Sequence, residues 1–169
     1  MVTPSTHPAS QLCRPRKRGR GIDPPGCDAG KKIKGKKRHI LVDTQGLLLM
    51  AVVHAADVQD RDGGALPMAS LFGLHPFLMK LYADAGHQGP RFQSALRKVM
   101  TEIDVEIVKR SDHARGFVVL PKRWIVERTF AWLDRCRRLA KDWVNLSDRA
   151  LAFLLLASIR LMIRKLGKA

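Results

Sequence analysis

Acidic side chains are scarce in this 169-residue chain: 15 Asp and Glu stand against 31 Lys and Arg, a formal net charge of +16 with a pI near 10.6. That balance favours a polyanionic partner, because each phosphate neutralised by Lys or Arg releases counterions. Cysteine is sparse and odd in number (Cys13, Cys27, Cys136), with no CxxC pair and no His/Cys cluster. A zinc knuckle is therefore not expected, and the count suits a reducing cytoplasm. Long hydrophobic runs are missing too. The longest, Ala150 to Ala157, falls far below the roughly 20 residues that span a bilayer, so it reads as a core helix. The N-terminus is polar, Pro-rich and basic, without the apolar stretch of a secretory signal. No membrane partner is expected.

What is present suffices for one medium domain: 46% of residues are hydrophobic. Residues 1–36 form a first region with Pro4, Pro8, Pro15, Pro24 and Pro25 and the basic clusters RPRKRGR (14–20) and KKIKGKK (31–37). Lacking apolar periodicity, this arm is expected to be largely disordered without a partner. Order is expected from Lys37. Arg38–Asp43 and Leu47–His54 read as two strands joined at Thr44-Gln45-Gly46, with Asp at the first turn position and Gly at the last. Asp57–Asp62 reads as a polar cap region and Gly64–Phe72 as a short helix. Leu78–Ala83 reads as a strand ending at Asp84, Pro90–Met100 as a helix with Pro in its first turn, and Val105–Lys109 as a strand. A loop over residues 111–121 leads to a helix over Pro121–Trp143, and Asn145-Leu146-Ser147 offers an N-cap for a last helix to about Leu166. The order predicts an α/β domain whose mixed sheet opens with an antiparallel pair.

Two acids stand out for chemistry. Glu127 lies in PKRWIVERTFAWLDRCRRLAKDW among Lys122, Arg123, Arg128, Arg135, Arg137, Arg138 and Lys141. It reads either as an i,i+4 partner of Arg123 or as a ligand beside guanidinium groups that bind phosphates. Asp84 stands where an apolar strand gives way to the Gly-containing loop Ala85-Gly86-His87-Gln88-Gly89, the place where α/β sheets position ligands; the plainer reading is a cap for the helix after Pro90. Carboxylates from separate elements can hold two divalent metals about 3.5–4 Å apart and drive phosphodiester chemistry, with Mg²⁺ or Mn²⁺ as the metal. His87 could orient phosphate or water, or be an ordinary loop histidine. Trp124 and Trp132 read as core residues. Lys31, Lys32, Lys34, Lys36, Lys37 and Arg38 read as phosphate contacts or as a solvated face.

Three stretches in order, GCDAGKKIKGKKRHILVDTQGLLLMAVVHAADVQDRD, LYADAGHQGP and LPKRWIVERTFAWLDRCRRLAKDW, resemble the DDE transposases of bacterial insertion sequences, in the branch named for insertion sequence 5. The resemblance covers about residues 22–166. It implies a ribonuclease-H-like catalytic domain, divalent metal, and transposon-end and target DNA as partners. It also implies that Asp84 matches the family's second acid, Glu127 its third and Arg123 the helix arginine. Arg128, Arg135, Arg138 and Lys141 join the lysines above as expected DNA contacts.

The chain departs from the family pattern in three places. Leu120 stands where an aromatic is common, and Asp134, followed by Arg135, where a base is expected. The third departure is larger: residues 1–21 contain no Asp or Glu and no strand-like run, so the first acid and its strand are expected to be missing. Asp43 ends a strand, yet its turn role accounts for it. The expectations are thus a 1–36 arm, of which 1–21 is read out of frame, and a partial catalytic domain over 37–169. The sheet should lack its first strand and leave an apolar slot. The protein should act on DNA weakly, near the nucleoid, and be able to self-associate. The rival readings are a non-enzymatic DNA-binding remnant and a basic RNA-binding protein.

Overall fold

The computed structural model describes residues 26–28, 33–71, 73–75, 77–100, 102–109, 121–136, 139, 144 and 146–167. Residues 1–25 of the expected arm, Lys31, Lys32, Leu120, Arg138, Lys141 and Asn145 lie outside them. The fold is mixed α/β, as expected. Strands β1 (Gly26–Asp28), β2 (Ile33–Val42) and β3 (Leu48–Ala55) pair antiparallel in that order, while β4 (Lys80–Asp84) and β5 (Asp104–Val108) form a separate parallel pair. Helices α1 (Asp60–Gly63), α2 (Ala65–Ser70), α3 (Pro90–Val99), α4 (Pro121–Asp134) and α5 (Ser147–Leu166) surround them. Among the described residues no helix is long and apolar enough to cross a membrane.

The β2–β3 hairpin turns where the sequence places its turn residues. Asp43 Oδ1 accepts hydrogen bonds from the amides of Gln45 (2.9 Å) and Leu47 (2.7 Å), and Gly46 takes φ +82°, a conformation that costs any other L-residue. The register shifts between Leu41 and Val42. The turn is pinned from α4: buried Thr129 places Oγ1 2.9 Å from Gly46 O, and a Cβ on Gly46 would come within 2.7 Å of that hydroxyl.

Strand β2 is the wall that both helical layers share, and its period of two decides what each side chain meets. Lys36, Arg38 and Ile40 face the C-terminal helices. Lys36 Nζ donates to Val144 O (2.8 Å), Arg38 Nη1 to Leu139 O (2.9 Å), and Ile40 packs on a core of Ala51, Leu133, Leu139, Leu154 and Ala157. Odd-numbered residues face the α1–α3 layer. Lys37 Nζ donates to Val58 O (3.0 Å) and pairs with Asp28 and Asp60 (3.1 Å each), while Leu41 joins a second core of Met68, Leu81, Phe92 and Leu96. The basic run KKRHIL is thereby split between two faces and drawn into the fold.

Several boundaries differ from the expectations. The sheet reaches back to Gly26, so residues 26–28 and 33–36, given to the arm on composition, are strand. Backbone pairing such as Cys27↔Lys34 and Lys36↔Ala55 outweighs their poor apolar content. The expected Gly64–Phe72 helix is present as the shorter α2, Ala65–Ser70, and the region expected as a polar cap carries a separate short helix, α1, over Asp60–Gly63. Helix α4 stops at Asp134, short of Trp143; the bonds Cys136 N to Leu133 O and Leu139 N to Cys136 O tighten the chain into turns. Leu146 is the N-cap of α5 and makes no side-chain cap bond, so burial of Ala150, Leu154 and Ala157 holds that helix in place of the expected cap. Trp124 is 45% exposed, and Trp132 lies half-buried under Arg128 and Lys165, so neither forms the core as expected. Cys136 is a free thiol and Cys27 is disulfide-bonded.

Candidate active site

A cavity of about 570 Å³ opens between β2 and β4, and both Asp84 and Glu127 line it. Leu81 is buried and Tyr82 and Ala83 are partly so, which anchors β4 and brings its last residue, Asp84, to the cavity rim. Helix α4 is brought against β4 at its first turn, where Lys122 Nζ stands 4.7 Å from the centre of the Tyr82 ring. One turn on, Arg123 Nε donates to Glu127 Oε1 at 2.8 Å. The i,i+4 pairing read from sequence is therefore present, and it sits at the cavity rather than on a remote surface.

Asp84 does not cap α3, whose N-cap is Gly89 without a side-chain bond. It caps the 3₁₀ turn Ala85–His87 instead: Oδ1 accepts from the Gly86 amide (3.1 Å) and from His87 Nδ1 (2.6 Å). These bonds hold its carboxyl below the ordinary carboxylate value, His87 contributing most; burial opposes them, and the Gly86 amide and the Arg123 charge add to the lowering. Arg123 binds Glu127 directly and contributes the smallest part of the lowering at Asp84.

Asp60 and His39, which the sequence reading passed over, join Lys37 and His87 in the wall. Asp60 lies beside Asp84: a Cβ on Gly86 would stand 3.1 Å from Asp60 Oδ2 and 3.2 Å from Asp84 Oδ1. Lys37 bridges Asp60 to Asp28; burial alone would lower its pKa, but hydrogen bonds to the two carboxylates raise it above the usual lysine value. His39 stacks on His54 (4.7 Å) and meets His87 edge-on (5.8 Å). Burial, with the neighbouring His54 and His87, pushes the His39 pKa down to about 4, so it is neutral at pH 7. The sequence signal for this cluster was weak: three isolated histidines and one Asp-Arg-Asp, which only β2–β3 pairing and the α1 turn bring together.

Of the expected DNA contacts, Lys36, Lys37 and Arg38 are engaged within the fold as described, and Arg38 also lies 3.8 Å from Asp134. Arg128 donates to Gln45 O (3.2 Å) and stacks over Trp132 (4.8 Å). Arg135 is exposed, and the side chain of Lys34 is outside the described set. The donor set of Asp84 and Glu127 is the hard oxygen type that Mg²⁺ takes, commonly with one or two carboxylates and several waters. No group of three or more His, Cys, Asp or Glu able to hold a metal assembles among the described residues.

A cavity at the end of a β-strand, with one acid from that strand and a second from a late helix, belongs to a class of protein that comparison with known families defines. The chain belongs to the transposase DDE domain family, which matches residues 6–162. A particular relative is a Burkholderia cepacia protein named as a transposase for insertion sequence element IS402, 35% identical over 128 residues. The overlap takes in 71% of this chain and 59% of that relative, so the chain spans less than two thirds of the relative's length. No solved structure matches it significantly.

Proposed function

We propose that this chain carries the phosphodiester chemistry of DNA transposition, in-line hydrolysis and strand transfer, with Asp84 and Glu127 as ligands for Mg²⁺ or Mn²⁺. The observation that carries the reading is that Asp84 and Glu127 line one cavity, with Glu127 held by Arg123. A divalent ion held there would activate the attacking oxygen and stabilise the leaving one. Arg123 keeps the carboxylate of Glu127 oriented and offers its remaining N–H donors to a phosphate. His87 and the Gly86 amide fix Asp84 in its ionised form. Lys122 and Arg135, both exposed, supply charge for the DNA backbone, together with Lys31, Lys32, Lys34, Arg138 and Lys141. The partners on this reading are transposon-end and target DNA, bound by a protein that works at the nucleoid and can self-associate.

The activity of this chain is proposed to be weak. No third carboxylate joins Asp84 and Glu127 in a metal-holding group among the described residues. Loss of one ligand lowers such chemistry by orders of magnitude, because geometry and charge neutralisation fail together. The same observation favours a second reading, a DNA-binding remnant without cleavage. A supercoiled-plasmid nicking assay with Mg²⁺ separates them: slow nicking abolished by both Asp84→Ala and Glu127→Ala supports the enzyme. Nicking that survives Glu127→Ala would overturn the assignment of that residue. Salt-sensitive duplex binding with no nicking would establish the remnant, and preference for structured RNA at fixed salt would overturn both.

A further inference from the structure

The loop after β4 does more than carry Asp84 to the cavity. Both hydrogen bonds that it makes to the carboxylate end on the same oxygen, Oδ1, from the Gly86 amide at 3.1 Å and His87 Nδ1 at 2.6 Å. Oδ2 has no partner among the described residues, and Asp84 lines the cavity. His87 is itself held on several sides. Its ring meets His39 edge-on at 5.8 Å and tilts against Phe92 at 5.2 Å, and only 18% of its side chain is exposed. Its far edge, Cδ2 and Nε2, lies against Gly64, where a Cβ would come within 2.2 and 2.4 Å. Gly64 is where α1 breaks into α2, so the break makes room for the ring. Since an ionised carboxylate accepts only, the ring nitrogen that donates to Asp84 in this hydrogen bond is Nδ1.

We propose that His87 is a positioning residue for Asp84: seated on Gly64, it locks one carboxylate oxygen into the loop so that the other is presented to a hard divalent cation. The proposal rests on the reading of Asp84 as a ligand and adds an orienting partner to it. Outer partners of this kind typically change metal affinity by about 10- to 100-fold.

Two readouts on the full chain test this. The first is the His87 tautomer by ¹⁵N NMR without metal, where the Nδ1–H form is expected and Asp84→Ala should return the ring toward the Nε2–H form. The second is Mn²⁺ affinity by water-proton relaxation. His87→Ala should weaken Mn²⁺ binding by about 10-fold or more, His87→Asn should restore it to within about 3-fold by keeping a donor near the Nδ1 position, and Gly64→Ala should mimic His87→Ala by displacing the ring. Unchanged Mn²⁺ affinity in both His87→Ala and Gly64→Ala, or an Nε2–H ring in the wild-type chain, would overturn the proposal. Should the tautomer be as expected while the wild-type chain retains no Mn²⁺, the lock on Asp84 stands and the reading of Asp84 as a metal ligand falls.

Discussion

The two halves of the molecule are built differently. The β1–β3 sheet is covered by long helices, α4 and α5, over a core of Ala51, Leu133, Leu139, Leu154 and Ala157. The β4–β5 pair is covered by short helices, α2 and α3, over a core of Met68, Leu81, Phe92 and Leu96. The first core draws on residues from 51 to 157 and ties distant parts of the chain together, whereas the fully buried residues of the second lie between 68 and 96, with Leu41 and Val105 packed against them. The candidate site takes one acid from each half, Asp84 from the local one and Glu127 from the long-range one. A candidate site placed at such a seam depends on both cores holding their relative position.

The largest expected effects come from the cores themselves. Phe92→Ala should cost about 3–5 kcal/mol and Leu154→Ala about 2–5 kcal/mol, read by urea unfolding. If the halves fold as one unit, each variant lowers amide protection in both. If Leu154→Ala leaves protection in β4 and α3 unchanged, the halves are separate and the seam is weak.

Next in size is acid sensitivity at the shared wall. His39 has a folded pKa of about 4, below its ordinary 6.5, so between those values the unfolded chain binds the extra proton. Stability should therefore be present above about pH 6.5 and fall as pH drops toward 4, by roughly 2–3 kcal/mol. His54, His87, Asp60 and Lys37 surround it, and their charges act on it together with burial. Asp84, held below the ordinary carboxylate value, adds a loss only at lower pH. His39→Leu should flatten the melting-temperature curve between pH 6.5 and 4; an unaltered curve would remove His39 as the cause.

A smaller effect tests how α4 is pinned to the first half. Gly46→Ala forces an L-residue to φ +82° and brings its Cβ to 2.7 Å from Thr129 Oγ1. It should cost about 1–2 kcal/mol in a melting experiment. The smallest stability effect is expected at the site: Arg123 and Glu127 are 53% and 48% exposed, so Arg123→Ala should change stability by no more than about 0.5 kcal/mol. Any nicking activity should nonetheless drop strongly. A stability loss as large as the activity loss would mean that the pair is structural.

Much was legible in the chain. The hairpin could be read from Asp43 and Gly46, because turn chemistry is local, and α3 from Pro90 followed by apolar periodicity. Asp84 and Glu127 stood out because an acid at a strand end, and an acid alone among bases, are unusual by themselves. The fate of the basic run was not legible. Lys36, Lys37 and Arg38 look alike as letters, yet strand alternation sends Lys37 to Asp28 and Asp60 and its neighbours to the carbonyls of Val144 and Leu139. The end of α4 was missed because nothing in RCRRLAKDW breaks a helix locally, and the histidine cluster because its members lie on separate elements.

By itself, then, the sequence determined the α/β composition, the hairpin, the cationic character and the two acids, since each follows from local propensity, period or residue chemistry. Tertiary structure alone decided that Asp84 and Glu127 share a cavity, that Gly64 gives His87 its seat, and that much of the basic run faces inward. Those outcomes depend on which faces of β2 and α4 are buried, and burial is a property of the assembled layers that no single stretch of chain carries.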